Sequence, residues 1–239
     1  MWLENILGTI DYSNWTEESN TFFDSGIYQI LSDLLPLENT FEFGCGNGNS
    51  TFVLSEKRKV LTFENNSFLI NDAISKLICR GDNVIVQKCD FFKLSETEKQ
   101  LISDFEPVKI TGWFIGSNGN DVSKYTKEEP DFTKKVKLYR EKIEDIITSP
   151  AVCIPSVSTI QLANRGAIVK GFNNEQIFQD VKNDYDKYVF KKIGFEVVEV
   201  NVFNWKRVGS SFQYISAPNS ILADGKLMSS ITSIIARRI

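Results

Sequence analysis

Three glycines spaced by two, set directly behind a short apolar strand, constrain this chain more than any other feature. The stretch reads Thr40-Phe41-Glu42-Phe43-Gly44-Cys45-Gly46-Asn47-Gly48-Asn49-Ser50-Thr51. Phe41 and Phe43 alternate with Thr40 and Glu42, the period of a strand. The glycines end that strand, and Asn49-Ser50-Thr51-Phe52-Val53-Leu54 reads as the first turns of a helix. Glycine lacks Cβ and so permits backbone angles and close approaches that other residues forbid. The N–H groups of a loop that enters a helix are free to meet a polar ligand. The stretch is built to hold a small molecule against bare backbone.

The dinucleotide fingerprint G-x-G-x-x-G does not fit, because its third glycine falls on Asn49. What the residues do resemble is the first motif of the class I S-adenosylmethionine-dependent methyltransferases: an acid, then x-G-x-G-x-G, at the end of the first strand. Glu42 to Gly48 matches it position for position, and Ser50-Thr51 matches a G-x-S-T continuation common among O-methyltransferases. The resemblance implies an α/β fold: a Rossmann-like, seven-stranded, mostly parallel sheet with helices on both faces and an antiparallel last strand. It implies Glu42, Gly44, Cys45, Gly46, Asn47, Gly48, Ser50 and Thr51 as cofactor-binding residues.

Strand–helix alternation continues downstream and predicts a parallel sheet with ligands at its carboxyl edge. Lys59 to Glu64 reads as a second strand ending in an acid, and a carboxylate there has two oxygens for the two hydroxyls of a ribose. The resembled family places its ribose-binding acid about here, and the resemblance implies Glu64 and Asn65 as cofactor residues. Ser67 to Cys79 is an amphipathic helix with Asn66 or Ser67 able to cap its start and Gly81 its end. Asn83 to Cys89 is a third strand, followed by Asp90 and Phe91, where the resembled family takes the adenine amino group and packs the ring. Lys109 to Ile115 is the fourth. The family often carries an acid or an Asn/Asp-Pro-Pro-aromatic motif just after it, whereas this chain reads Gly116-Ser117-Asn118-Gly119-Asn120-Asp121. Asp121 is the candidate catalytic carboxylate.

Farther on, Lys124 to Asp131 reads as a loop, Phe132 to Ile147 as a helix, and Ser156 to Asn164 as a short helix. Arg165 to Phe172 reads as the fifth strand, Glu175 to Lys192 as a helix, Glu196 to Val202 as a strand and Ser229 to Arg237 as a closing strand. One domain spans residues 1–239 on this reading, with a helical cap over 1–38 and an insertion near the active site over 203–228. Tyr12, Trp15, Phe22 and Phe23 are candidates for the pocket, as are Phe203, Trp205, Phe212 and Tyr214 in the insertion.

Composition enters where it excludes chemistry. The chain has no histidine, so any general base is Asp, Glu, Lys, Tyr, Cys or a metal-bound water. The four cysteines, Cys45, Cys79, Cys89 and Cys153, show no CxxC spacing, which argues against a zinc site or a disulfide framework and for a reducing, cytoplasmic setting. No apolar run approaches the roughly 20 residues of a membrane span, so no membrane partner is expected. The net charge of −4 and the absent Asn/Asp-Pro-Pro motif argue against a nucleic-acid partner. The function implied by the resemblance is methyl transfer from S-adenosylmethionine to an oxygen of a small molecule, such as a sugar or glycan hydroxyl, with a divalent metal as an optional helper. The alternative is a non-catalytic, cofactor-binding subunit of a methyltransferase complex.

Overall fold

A computed structural model describes residues 2–116, 119–205 and 227–239, leaving aside the side chains of residues 2–12, 132 and 133. Phe212 and Tyr214 lie outside the described residues, as do Ser117, Asn118 and the side chain of Tyr12.

The strands form one seven-stranded sheet in the order β3-β2-β1-β4-β5-β7-β6. β1 (Thr40–Phe43), β2 (Val60–Glu64), β3 (Val84–Lys88), β4 (Lys109–Trp113) and β5 (Thr159–Val169) run parallel. β7 (Leu227–Arg238) is antiparallel to both β5 and β6 (Phe195–Asn204). Every residue of β1, β2 and β4 is buried. Strands covered on both faces read as continuous apolar runs, and Val60-Leu61-Thr62-Phe63 is one.

Helices α3 (Asn49–Leu54), α4 (Ser67–Leu77), α5 (Glu96–Phe105), α6 (Gly119–Tyr125), α7 (Phe132–Ile147) and α8 (Asn174–Tyr185) make the crossovers. Two helices precede the sheet, α1 (Trp2–Asp24) and α2 (Ile27–Asp33), joined through Gly26 in the left-handed region at φ 74°. Phe22 of α1 and Tyr28 and Leu31 of α2 are buried with Leu54, Trp113, Phe114 and Trp205 in one apolar cluster. A larger cluster, built on Phe41, Phe43, Phe63, Phe91, Ile110, Ile143 and Ile160, joins β1, β2, β4 and β5 to α7.

Three expectations are corrected, and one helix is added. No helix forms over Ser156–Asn164; β5 starts at Thr159 and runs through that segment. The misleading residue is Gln161, a polar side chain inside the sheet. It accepts from Trp113 Nε1 at 2.9 Å and donates to Leu31 O at 3.2 Å and Ser233 Oγ at 3.0 Å, so its burial is satisfied. The expected loop over Lys124–Asp131 gives way at its start to the end of α6. α5 was not foreseen, although Ser95 and Glu98 form a capping box at its start. The helix expected over Glu175–Lys192 leaves α-geometry at Asp186, whose buried carboxylate accepts Val197 N–H at 2.7 Å and pairs with Lys182 at 2.9 Å.

Candidate functional site

A cavity of about 650 Å³ opens at the carboxyl edge of the sheet. It sits beside β1 and β4, where chain order turns from β1-β2-β3 to β4-β5, the switch point at which open α/β sheets bind ligands. Its wall is made of Gly44 and Gly46, Glu64 to Leu69, Lys88 to Phe91, Trp113 to Gly116, Asp121, Lys124, and Trp15 from α1.

The three glycines divide the work. All have positive φ: 73° at Gly44, 55° at Gly46 and 84° at Gly48. A Cβ on Gly44 or Gly46 would meet no atom within 4 Å, so both present bare backbone to open space. A Cβ on Gly48 would lie 2.9 Å from Ala73 Cα, so this glycine lets α3 press on α4. Two glycines thus shape the cavity and the third packs the helix behind it.

The four acids are placed differently. Glu64 ends β2 in the cavity wall and accepts Gly46 N–H at 2.9 Å and Asn66 N–H at 2.8 Å. Burial raises its pKa, and these backbone N–H groups oppose the shift. Asp90 lines the cavity at the end of β3 and accepts Phe92 N–H at 3.2 Å, while Phe91 stacks on Phe43 at 4.4 Å. Asp121, on α6, accepts from Asn65 Nδ2 at 3.4 Å, so it stands beside the Glu64 end of the cavity. Glu42 does not reach the wall. It turns back to accept the Thr51 hydroxyl, and burial raises its pKa against the pull of Ser50, Thr51 and Thr62.

Of the predicted cofactor residues, Gly44, Gly46, Glu64, Asn65, Asp90 and Phe91 come together in the wall. Glu42, Cys45, Asn47, Gly48, Ser50 and Thr51 are buried behind it and brace the loop. Asn47 accepts from Ser19 Oγ at 2.7 Å and donates to Asn20 at 3.2 Å. Asn49 donates to Ser19 at 3.1 Å and Asn20 at 2.9 Å, and it accepts from Lys76. The loop is thereby tied to α1.

Among the candidate aromatics, Trp15 lines the cavity, and its ring comes within 2.5 Å of where a Cβ on Gly116 would stand. Gly116 is what admits it. Arg165 lies over the Trp15 ring at 5.0 Å and near Glu18 at 3.9 Å. Phe22 and Trp205 are core residues, and Phe23 is exposed against Phe52. Sequence reasoning missed Phe114, which lines the cavity at φ 55° with its N–H on Ala163 O at 2.8 Å. A bulky residue at positive φ is strained, and such strain gathers at functional sites. No helix among the described residues is long and apolar enough to cross a membrane. For the optional divalent ion, the described residues contain no group of three Asp, Glu, His or Cys that could hold it.

No protein-family model and no curated protein matches the chain. Solved structures do. A TehB-like SAM-dependent methyltransferase from Corynebacterium glutamicum is 12% identical, covering 97% of this chain and 100% of that one at TM-score 0.50. A proposed RNA methyltransferase from Pyrococcus horikoshii is 10% identical, covering 90% and 81% at TM-score 0.50. TYW2 from M. jannaschii, in complex with AdoMet, is 11% identical, covering 91% and 77% at TM-score 0.49. The second of these overturns the exclusion of a nucleic-acid partner, since a protein described as acting on RNA has this fold. The physical fault lay in the inference: a net charge of −4 is a sum over the surface and says nothing about any one face.

Proposed function

We propose that this chain, which has the fold of the class I S-adenosylmethionine-dependent methyltransferases, binds S-adenosylmethionine at the carboxyl edge of its sheet and transfers the methyl group to an oxygen of a small molecule, such as a sugar hydroxyl. The observation that carries the reading is the division of labour among the glycines: Gly44 and Gly46 offer open backbone to a cavity whose adjoining strand ends supply Glu64 and Asp90. The cavity volume of about 650 Å³ is within the usual range for ligand sites, roughly 300–1,000 Å³.

Glu64 is the residue for the ribose hydroxyls, Asp90 for the adenine amino group and Phe91 for the ring. In the wall Glu64, Asp90, Glu98 and Asp121 outnumber Lys88 and Lys124, which favours a ligand with net positive charge. The cofactor supplies an electrophilic methyl on a sulfonium. The protein's part is positioning, which can lower a barrier by several kcal/mol, on the order of 7–11 at best. Trp15, Phe114 and Gly116 stand in the same wall and bound the room left for the acceptor. Asp121 is the carboxylate proposed to take the acceptor proton, and Asn65 Nδ2 holds it in the wall. The G-x-S-T continuation at Ser50-Thr51 supports oxygen as the acceptor atom.

Calorimetry with S-adenosylhomocysteine tests the binding half, and micromolar affinity abolished by Glu64→Ala is expected. Methyl transfer is then assayed on sugars, phenols, carboxylates and RNA. Binding without turnover on any of them points to a non-catalytic subunit, and absence of binding ends the reading.

A further inference from the structure

We infer that Tyr125 is a positioning residue: it fixes the carboxylate of Asp90 so that the site selects an exocyclic amino group on the purine of its cofactor. The inference rests on the methyl-donor reading above and concerns a residue that the sequence motifs do not touch.

Asp90 and Lys124 are in the cavity wall, and Tyr125 stands behind them at the end of α6. One carboxylate oxygen of Asp90 accepts Phe92 N–H at 3.2 Å. The other accepts the Tyr125 hydroxyl and lies 3.6 Å from Lys124 Nζ. The Tyr125 ring lies flat on Phe92, with centroids 3.9 Å apart and planes 11° from parallel. The Tyr125 carbonyl accepts from Lys142 Nζ at 2.7 Å, which pins this end of α6 to α7. The hydroxyl therefore has little freedom and points at one oxygen of one acid. Burial, followed by the Asp90 hydrogen bond, raises the phenol's pKa, so it stays a donor.

An ionised carboxylate has about four lone-pair sites and only accepts. Held from behind by Phe92 N–H and Tyr125, Asp90 keeps acceptor capacity turned to the cavity. An amino group on a purine satisfies it, whereas a ring carbonyl at the same place leaves two acceptors facing each other. Sites built to hydrogen-bond a ligand group reject the analogue lacking it far more strongly than apolar pockets reject a size change. Lys124 is the competitor: its ammonium, 4.5 Å over the Tyr125 ring and already 3.6 Å from the same Asp90 oxygen, closes on that oxygen once the hydroxyl is gone.

The test is calorimetry with two probes, S-adenosylhomocysteine and its deaminated analogue S-inosylhomocysteine. Tyr125→Phe keeps the ring stack and removes only the hydroxyl. Wild type should prefer the adenosyl probe by about tenfold or more. Tyr125→Phe should weaken the adenosyl probe by about three- to tenfold, the net worth of one ordinary hydrogen bond, and leave the inosyl probe within about twofold. The double variant Tyr125→Phe/Lys124→Gln should recover part of the preference. Equal weakening of both probes means that the tyrosine is merely structural and overturns the inference, as does an unchanged ratio. A wild type that binds neither probe overturns the donor reading as well, so the two failures are told apart. If Tyr125→Phe does not fold, Phe92→Leu decides, since it removes the ring under Tyr125 and keeps the backbone N–H on Asp90: a loss for the adenosyl probe alone supports the inference, and equal loss for both probes refutes it.

Discussion

Gly46 and Gly48 look alike in the sequence and differ in what surrounds them. Alanine at Gly48 must adopt φ near 84° and meet Ala73 at 2.9 Å. We expect Gly48→Ala to destabilise the protein by roughly 2–4 kcal/mol, strain plus overpacking. Gly46→Ala meets nothing and should cost only the left-handed backbone, roughly 1–2 kcal/mol, while its methyl intrudes on the cavity and weakens S-adenosylhomocysteine. Urea melts and calorimetry on both variants separate the effects. Glu42 carries a pH signature. Burial raises its pKa in the folded state, so between the unfolded and folded values the native protein holds the extra proton. Its contribution to stability is therefore present at low pH and falls as pH rises through that window, starting near the ordinary carboxylate range. Glu42→Gln should remove this slope, so the variant gains on wild type as pH is raised from about 4 toward neutral. Melting curves across pH check it. The sequence carried the cavity-facing residues Gly44, Gly46, Glu64 and Asp90 because each stands at a strand end. It could not show that Glu42 turns away, since the Thr51 hydroxyl that captures it is a contact across the loop.

The loop is one half of a joint whose other half is α1. Ser19 bonds Asn47, Asn49 and Tyr28, and Asn20 bonds both asparagines. A net value of roughly 0.5–1.5 kcal/mol per hydrogen bond makes the joint worth a few kcal/mol. Ser19→Ala should cost about 1–3 kcal/mol, more than a surface serine, because it takes the donor from the buried Asn47 side-chain oxygen. Hydrogen exchange should show faster amides from Gly44 to Thr51, and unchanged exchange there would refute the joint. This coupling was not legible beforehand, because Ser19 and Asn20 lie about 28 residues upstream with no pattern of their own. β5 was misread for a related reason: Gln161 looks like the polar face of a helix until Trp113, Leu31 and Ser233 are seen around it. α5 is legible in the sequence, because Ser95 and Glu98 form a helix start signal.

Taken whole, the molecule gathers residues from far-separated segments at one edge: Trp15, Gly44, Glu64, Asp90, Phe114 and Asp121 meet only once the parallel strands are in register. A ligand there bridges β1, β2, β3 and β4 and should stabilise all of them together. Saturating S-adenosylhomocysteine at about 100 times its dissociation constant should add about 2.7 kcal/mol to unfolding, as a single cooperative shift in melting temperature. A split transition with only part of the protein moving would contradict a site that spans the sheet. Strand rhythm and the first motif made this edge readable in advance; the partner class was not, because whole-chain charge was asked to stand for a local surface.

The antiparallel end of the sheet has its own consequence. β6 leaves and β7 returns side by side, with Asn204 paired to Ser230, and β6 finishes at the same edge that bears the cavity. Pairing of β7 with β5 on one side and with β6 on the other holds that stretch of the rim by main-chain hydrogen bonds alone, so it keeps its shape whatever side chains it carries.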